Sequence, residues 1–134
     1  MTKTKTGPDI LPEEFAAIFA LGENFYSQGY YKKAQIIFHG LMAIDGDSLM
    51  ASIAYGESLL MDGQSHKALA HFSLASQQFV TSYRVALGGA KSCILLNRFD
   101  EARAFLQPII AGQLKVTPEI SQEIQALLRR LEFR

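Results

Sequence analysis

The chain repeats itself every 34 residues. Gly22, Gly56 and Ala90 form one column of the repeat, Ala34, Ala68 and Ala102 a second, and Phe38, Phe72 and Leu106 a third. A fourth holds Gly29, Gly63 and Asn97. Three stretches carry these columns without insertion: IFALGENFYSQGYYKKAQIIFHGLMAIDG, SIAYGESLLMDGQSHKALAHFSLASQQFV and ALGGAKSCILLNRFDEARAFLQPIIAGQL. A period of this length marks a stacked architecture, in which one supersecondary unit recurs and buries its face on its neighbours. The repeat therefore sets the fold class before any single motif does.

Each unit reads as a helical hairpin. In FALGENFYS the apolar Phe19, Leu21, Phe25 and Tyr26 leave polar Glu23, Asn24 and Ser27 between them, close to helical spacing. Gly29, Gly63 and Asn97 stand where that first helix must stop, and glycine and asparagine are the residues that accept left-handed backbone just past a helix end. The second helix shows an apolar face at Ala34, Ile37, Phe38 and Leu41. Its small alanine lets the hairpin partner approach at Gly22, and Phe38 fills the space beside them. Gly88 and Gly89 fall inside a helix, where each costs about 1 kcal/mol relative to alanine. That pair predicts close packing or local softness.

Residues 117–131, TPEISQEIQALLRRL, form a further helix. Thr117 is placed to cap it, Pro118 suits the first helical position and Glu119 the positive end of the dipole. Ile120, Ile124, Leu127, Leu128 and Leu131 make its apolar stripe, which suits a cap on the last repeat. Residues 1–12 read as a flexible N-terminal arm, with the first helix starting near Pro12 and carrying Glu13 and Glu14 in its first turn. Residues 13–134 then form a single domain, with repeats at about 15–47, 49–81 and 83–115 and the capping helix at 117–131.

Composition narrows the function. Hydrophobic residues make up 49% and charged residues 19%, a balance that folds. Lysine plus arginine equals aspartate plus glutamate at 13 each, so no electrostatic footprint for nucleic acid is expected. No apolar run has the length of about 20 residues that a bilayer span needs, and MTKTKTGPD lacks the apolar stretch of a secretory signal. One cysteine, Cys93, fits a reducing compartment. A soluble cytoplasmic protein is the expectation.

No catalytic constellation emerges, and neither an enzyme nor a cofactor is expected. His66 and His71 are five apart rather than the four that puts two ligands on one helix face. The DGDS stretch at 45–48 lacks the further oxygen ligands of a calcium loop; a turn with Asp47 or Ser48 capping the next helix accounts for it. Cys93 has no histidine placed to activate it and reads as a small buried hydrophobe. Gly88-Gly89 is followed by no GK[ST] phosphate loop.

A 34-residue hairpin with this small–large pattern resembles the tetratricopeptide repeat. Ile18, Ser52 and Ala86 replace the aromatic that often opens the family's unit, and Gly46, Val80 and Leu114 replace its closing proline. The resemblance implies an all-α fold: three tetratricopeptide helical hairpins in a right-handed superhelix plus a C-terminal capping helix. It also places groove-facing residues on the first helix of each unit. These are Phe19, Glu23, Tyr26 and Ser27; then Met50, Ile53, Glu57, Leu60 and Met61; then Leu87, Lys91, Ile94 and Leu95. Such a lining is mostly apolar, and exposed apolar surface marks a binding site. The alternative is that some of these residues face a neighbouring helix, the terminal helix folded back, or a second copy of the chain.

A narrower resemblance rests on ALGENFYSQGYYKKAQIIFHGLMAIDGDS and YGESLLMDGQSHKALAHFSLAS. These look like the class II chaperones of bacterial type III secretion, with their G-x-Y-x-x-A…F-x-x-L phrase at Gly29, Tyr31, Ala34, Phe38 and Leu41, and Ile44-Asp45 where the family has L-D. The resemblance implies a cytoplasmic chaperone that binds and shields a hydrophobic segment of an export substrate, a translocator or a needle subunit, in its concave groove. A co-chaperone and a homodimer stay open, and neither nucleic acid nor membrane insertion is implied. A generic tetratricopeptide scaffold joining two proteins is the alternative.

Overall fold

The computed structural model describes residues 9–132. Of the expected N-terminal arm, residues 1–8 lie outside the described residues, and Pro12 already opens the first helix. The helices run α1 Pro12–Ser27, α2 Tyr31–Ile44, α3 Leu49–Met61, α4 Ser65–Gln78, α5 Tyr83–Leu95, α6 Phe99–Ile110 and α7 Pro118–Glu132. No strand occurs among the described residues. The all-α expectation holds, with helix pairs at each of the three predicted repeats. Packing divides these helices into two compact units, one holding α1–α3 and ending at Gln64, the other starting at Ser65 and holding α4–α7.

The fourth sequence column ends helices as expected. Gly29 has φ 86°, Gly63 φ 79° and Asn97 φ 59°. The residue after each one donates its N–H five positions back: Tyr30 to the Phe25 carbonyl at 2.8 Å, Gln64 to Leu59 at 2.9 Å and Arg98 to Cys93 at 2.8 Å. Together with the bonds from Gly29 to Tyr26, Gly63 to Leu60 and Asn97 to Ile94, this is the Schellman arrangement, which gives the last carbonyls of α1, α3 and α5 their donors. Helix starts are equally local. The Leu11 N–H donates to the Glu14 carboxylate at 2.7 Å while Pro12 opens α1. Ser48 and Ser82, again 34 apart, cap α3 and α5 by accepting from the N–H groups of Ala51 and Val85. Thr117 does the same for Ile120 at the start of α7.

In the first unit, α2 packs against both α1 and α3. Ala34, Phe38 and Leu41 are buried with Ala51, and Phe15, Ile18 and Phe19 close over them. The small–large pairing is literal here: a Cβ built on Gly22 would meet Phe38 Cε1 at 2.5 Å. In the second unit α5 lies between α4 and α6, and α7 packs on α6. Its core joins Leu69, Leu87, Ile94 and Leu106 to Ile124, Leu127 and Leu131. Gly88 and Gly89 are buried at close packing, not softness. A Cβ on Gly88 would run into the Phe72 ring and one on Gly89 into the Phe105 ring.

One polar network ties α2 to the end of α3. Asp62 Oδ2 accepts from Lys32 Nζ at 2.8 Å, Gln35 Nε2 at 3.1 Å and Gln64 Nε2 at 2.6 Å. The lysine ammonium, followed by the two amides, holds the Asp62 carboxyl below its ordinary range. A carboxylate depressed on folding stabilises fully above its unfolded pKa of about 4, and that contribution is lost as pH falls through the lower folded value. Asp62→Ala is therefore expected to melt lower than the parent at pH 7. The gap should narrow in thermal melts as the pH drops below about 4, the unfolded carboxylate's pKa, and through the lower folded one; a gap independent of pH would remove the charge from the account.

Candidate functional site

The residues expected to line a groove divide by burial. In the first unit Met50 is 58% exposed and Met61 53% exposed at the two ends of α3. Glu23 is open to solvent on α1. Phe19 is half-buried against the Phe38 ring, centroids 5.3 Å apart. Tyr26 is half-buried with its ring edge-on to Tyr31 at 5.4 Å. Burial, then the nearby Glu57 carboxylate, pushes the Tyr26 phenol above its ordinary range. Leu60 is half-buried, and Ser27 is exposed with its hydroxyl turned back onto the Asn24 carbonyl at 3.0 Å.

Three of the expected lining residues are core. Ile53 is 3% exposed, Leu87 6% and Ile94 7%. The reason is clearest in the second unit: α5 is flanked by α4 and α6, and α7 brings Ile124, Leu127 and Leu131 into the cluster that holds Leu87 and Ile94. Here the terminal-helix alternative applies. Lys91 is committed too, its ammonium 2.6 Å from the Glu123 carboxylate of α7. Leu95 alone of that set stands open, 58% exposed.

Other candidates resolve as structure. Cys93 is fully buried, and that burial pushes its thiol up to about 11, far from a nucleophile's range. In DGDS the Asp45 carboxylate accepts from the Asp47 N–H at 3.0 Å, an ordinary turn, before Ser48 caps α3. The His39 ring lies against Tyr55, centroids 5.4 Å apart. Among the described residues no helix is long and apolar enough to cross a membrane. What the arrangement offers is contact surface: aromatic rings, two flexible methionines and two carboxylates.

No family model and no curated protein matches the chain. Solved structures do. The type III secretion chaperone SycD of Yersinia enterocolitica, in complex with a peptide of the translocator YopD, is 19% identical, with 94% of this chain and 98% of that one covered at a TM-score of 0.82. PcrH from Pseudomonas aeruginosa is 20% identical, covering 92% of this chain and 96% of its own, at a TM-score of 0.84. PcrH in complex with the chaperone binding region of PopD gives 20% identity, 93% and 96% coverage, and a TM-score of 0.83. This likeness establishes the fold, shared along nearly the whole length of both chains.

Proposed function

We propose that this protein is a cytoplasmic chaperone of a bacterial type III secretion system, which holds a hydrophobic segment of a translocator before export. The observation that carries the reading is the match, along nearly the whole chain, to chaperones of this fold, one holding a peptide of the translocator YopD and another the chaperone binding region of PopD. That match favours a translocator over a needle subunit as client. The surface left open on α1 and α3 of the first unit suits the task. A segment laid across Phe19, Tyr26, Met50, Leu60 and Met61 buries apolar side chains worth about 1.5–3 kcal/mol each, and Glu23 and Glu57 bias its charge. Binding needs no nucleotide. An apolar client bound in this way stays out of premature assembly.

Co-expression tests it. With a translocator of its own secretion system, the chain is expected to give a soluble complex; a translocator that aggregates equally with and without it would defeat the proposal. Met50→Asp and Met61→Asp lie at exposed positions and should leave helicity intact. Each is expected to weaken the complex by about tenfold or more, the loss of one buried apolar contact. Unchanged affinity in both would move the contact surface elsewhere. A scaffold joining two folded proteins through charge would instead show affinity falling steeply with salt.

A further inference from the structure

We propose that the second unit carries a separate docking site, a cleft that takes an arginine side chain of a partner polypeptide together with a neighbouring apolar residue. The cleft has a volume of about 470 Å³ and lies against α4, α6 and the segments that follow them. That volume is in the range of ligand pockets. Its apolar walls include Phe79, Phe105, Pro108 and Leu114. None of the residues assigned above to client binding lines it, and α5 contributes only Ala86. The inference therefore stands apart from the proposed chaperone activity.

Ser73, Ser76, Gln77 and Ser82 bring neutral polar groups to the cleft; the Ser76 hydroxyl is spent on the Ser73 carbonyl at 2.8 Å, and the Ser82 hydroxyl accepts from the Val85 N–H. Glu101, Ala104 and Pro108 line it from one face of α6. Proline has no N–H, so the Ala104 carbonyl, four residues earlier, lacks the donor a helix would normally supply. Glu101 is the one ionisable side chain on the walls among the described residues. Its pairing with Arg98 is long, 3.7 Å, between groups 58% and 48% exposed, the kind of contact a better-placed donor displaces. A guanidinium matches this set: five N–H donors in a planar fork for the carboxylate and the carbonyl, and a flat face and apolar stem for the phenylalanine rings. Glu101 repels phosphate, which turns the site from lipid headgroups and nucleic acid toward polypeptide.

The test uses the full chain, isotope-labelled for NMR, and the probe acetyl-Phe-Arg-amide. Expected are shifts confined to amides around Ser73–Ser82 and Glu101–Leu114, with a dissociation constant of about 1 mM. Acetyl-Phe-citrulline-amide, of the same shape but uncharged, should bind about tenfold more weakly, as should the arginine probe to Glu101→Gln. Glu101 is exposed, so that variant is expected to fold. Absence of shifts at the cleft overturns the proposal. So does equal binding of citrulline, or an undiminished affinity in Glu101→Gln. Because the probe is no export substrate, failure here leaves the chaperone reading intact, and failure of that reading leaves this one.

Discussion

A chain ended at Val116, before α7, is expected to unfold or aggregate at room temperature. Ile124, Leu127 and Leu131 are 3%, 8% and 1% exposed, and they share one cluster with Leu69, Leu87, Ile94 and Leu106. At about 1.5–3 kcal/mol for each buried side chain, removing the three costs roughly 5–9 kcal/mol, an upper estimate because an unfolded chain already hides some of that surface. Total stabilities of about 5–15 kcal/mol leave little after such a loss. The polar links add less. Lys91–Glu123 is a partly exposed pair, and the Arg103 guanidinium donates to the Leu131 carbonyl at 2.9 Å on a part-buried edge. Leu131→Ala, which keeps the helix, isolates one term and should lower stability by about 2–5 kcal/mol. Denaturant titration and gel filtration read both. A truncated chain that stays monodisperse and melts like the parent would show that α7 is not the cap of the last repeat.

The sequence displayed the scaffold because its signals are local. Glycine or asparagine is needed where the backbone turns left-handed, so Gly29, Gly63 and Asn97 mark three helix ends on residue type alone. Gly22 against Phe38 is likewise a matter of volume, and volume is written in the residue type. Of the two caps at Ser48 and Ser82, only the first was read from the sequence, as Asp47 or Ser48; the second follows it by 34 residues. Partner choice was less legible. Register pairs Ala90 with Leu106 in the third hairpin, yet the ring that wedges into α5 from α6 is Phe105, one residue earlier, because Gly89 leaves it room. The surface was least legible. Spacing puts Leu87, Ile94 and Leu95 on comparable positions of α5, but which of them meets water depends on where α7 packs, and that contact lies some thirty residues downstream.

Gly88→Ala and Gly89→Ala are each expected to destabilise the protein, although alanine is the better helix former by about 1 kcal/mol. Each new methyl falls inside the contact distance of a ring, Phe72 for one and Phe105 for the other. Phe72 is fully buried and has nowhere to retreat. Overpacking of this kind costs about 1–3 kcal/mol, so strain exceeds the gain in propensity, most clearly at Gly88. Since the two methyls strike different rings, the double variant should lose about the sum of the two single losses, up to about 4 kcal/mol relative to the parent. Gly40→Ala is the counterpart. Gly40 lies inside α2 with nothing within 4 Å of a built Cβ, and there the same substitution should stabilise by about 0.5–1 kcal/mol. Shrinking the ring supplies the cross-check: Phe72→Leu should cost less in the Gly88→Ala background than alone, a coupling between two residues 16 positions apart in sequence. Opposite signs at Gly88 and Gly40 mean that backbone-to-ring contact in the second unit is a requirement of the fold. If both substitutions stabilise, propensity alone governs, and the phenylalanine rings are free to move aside.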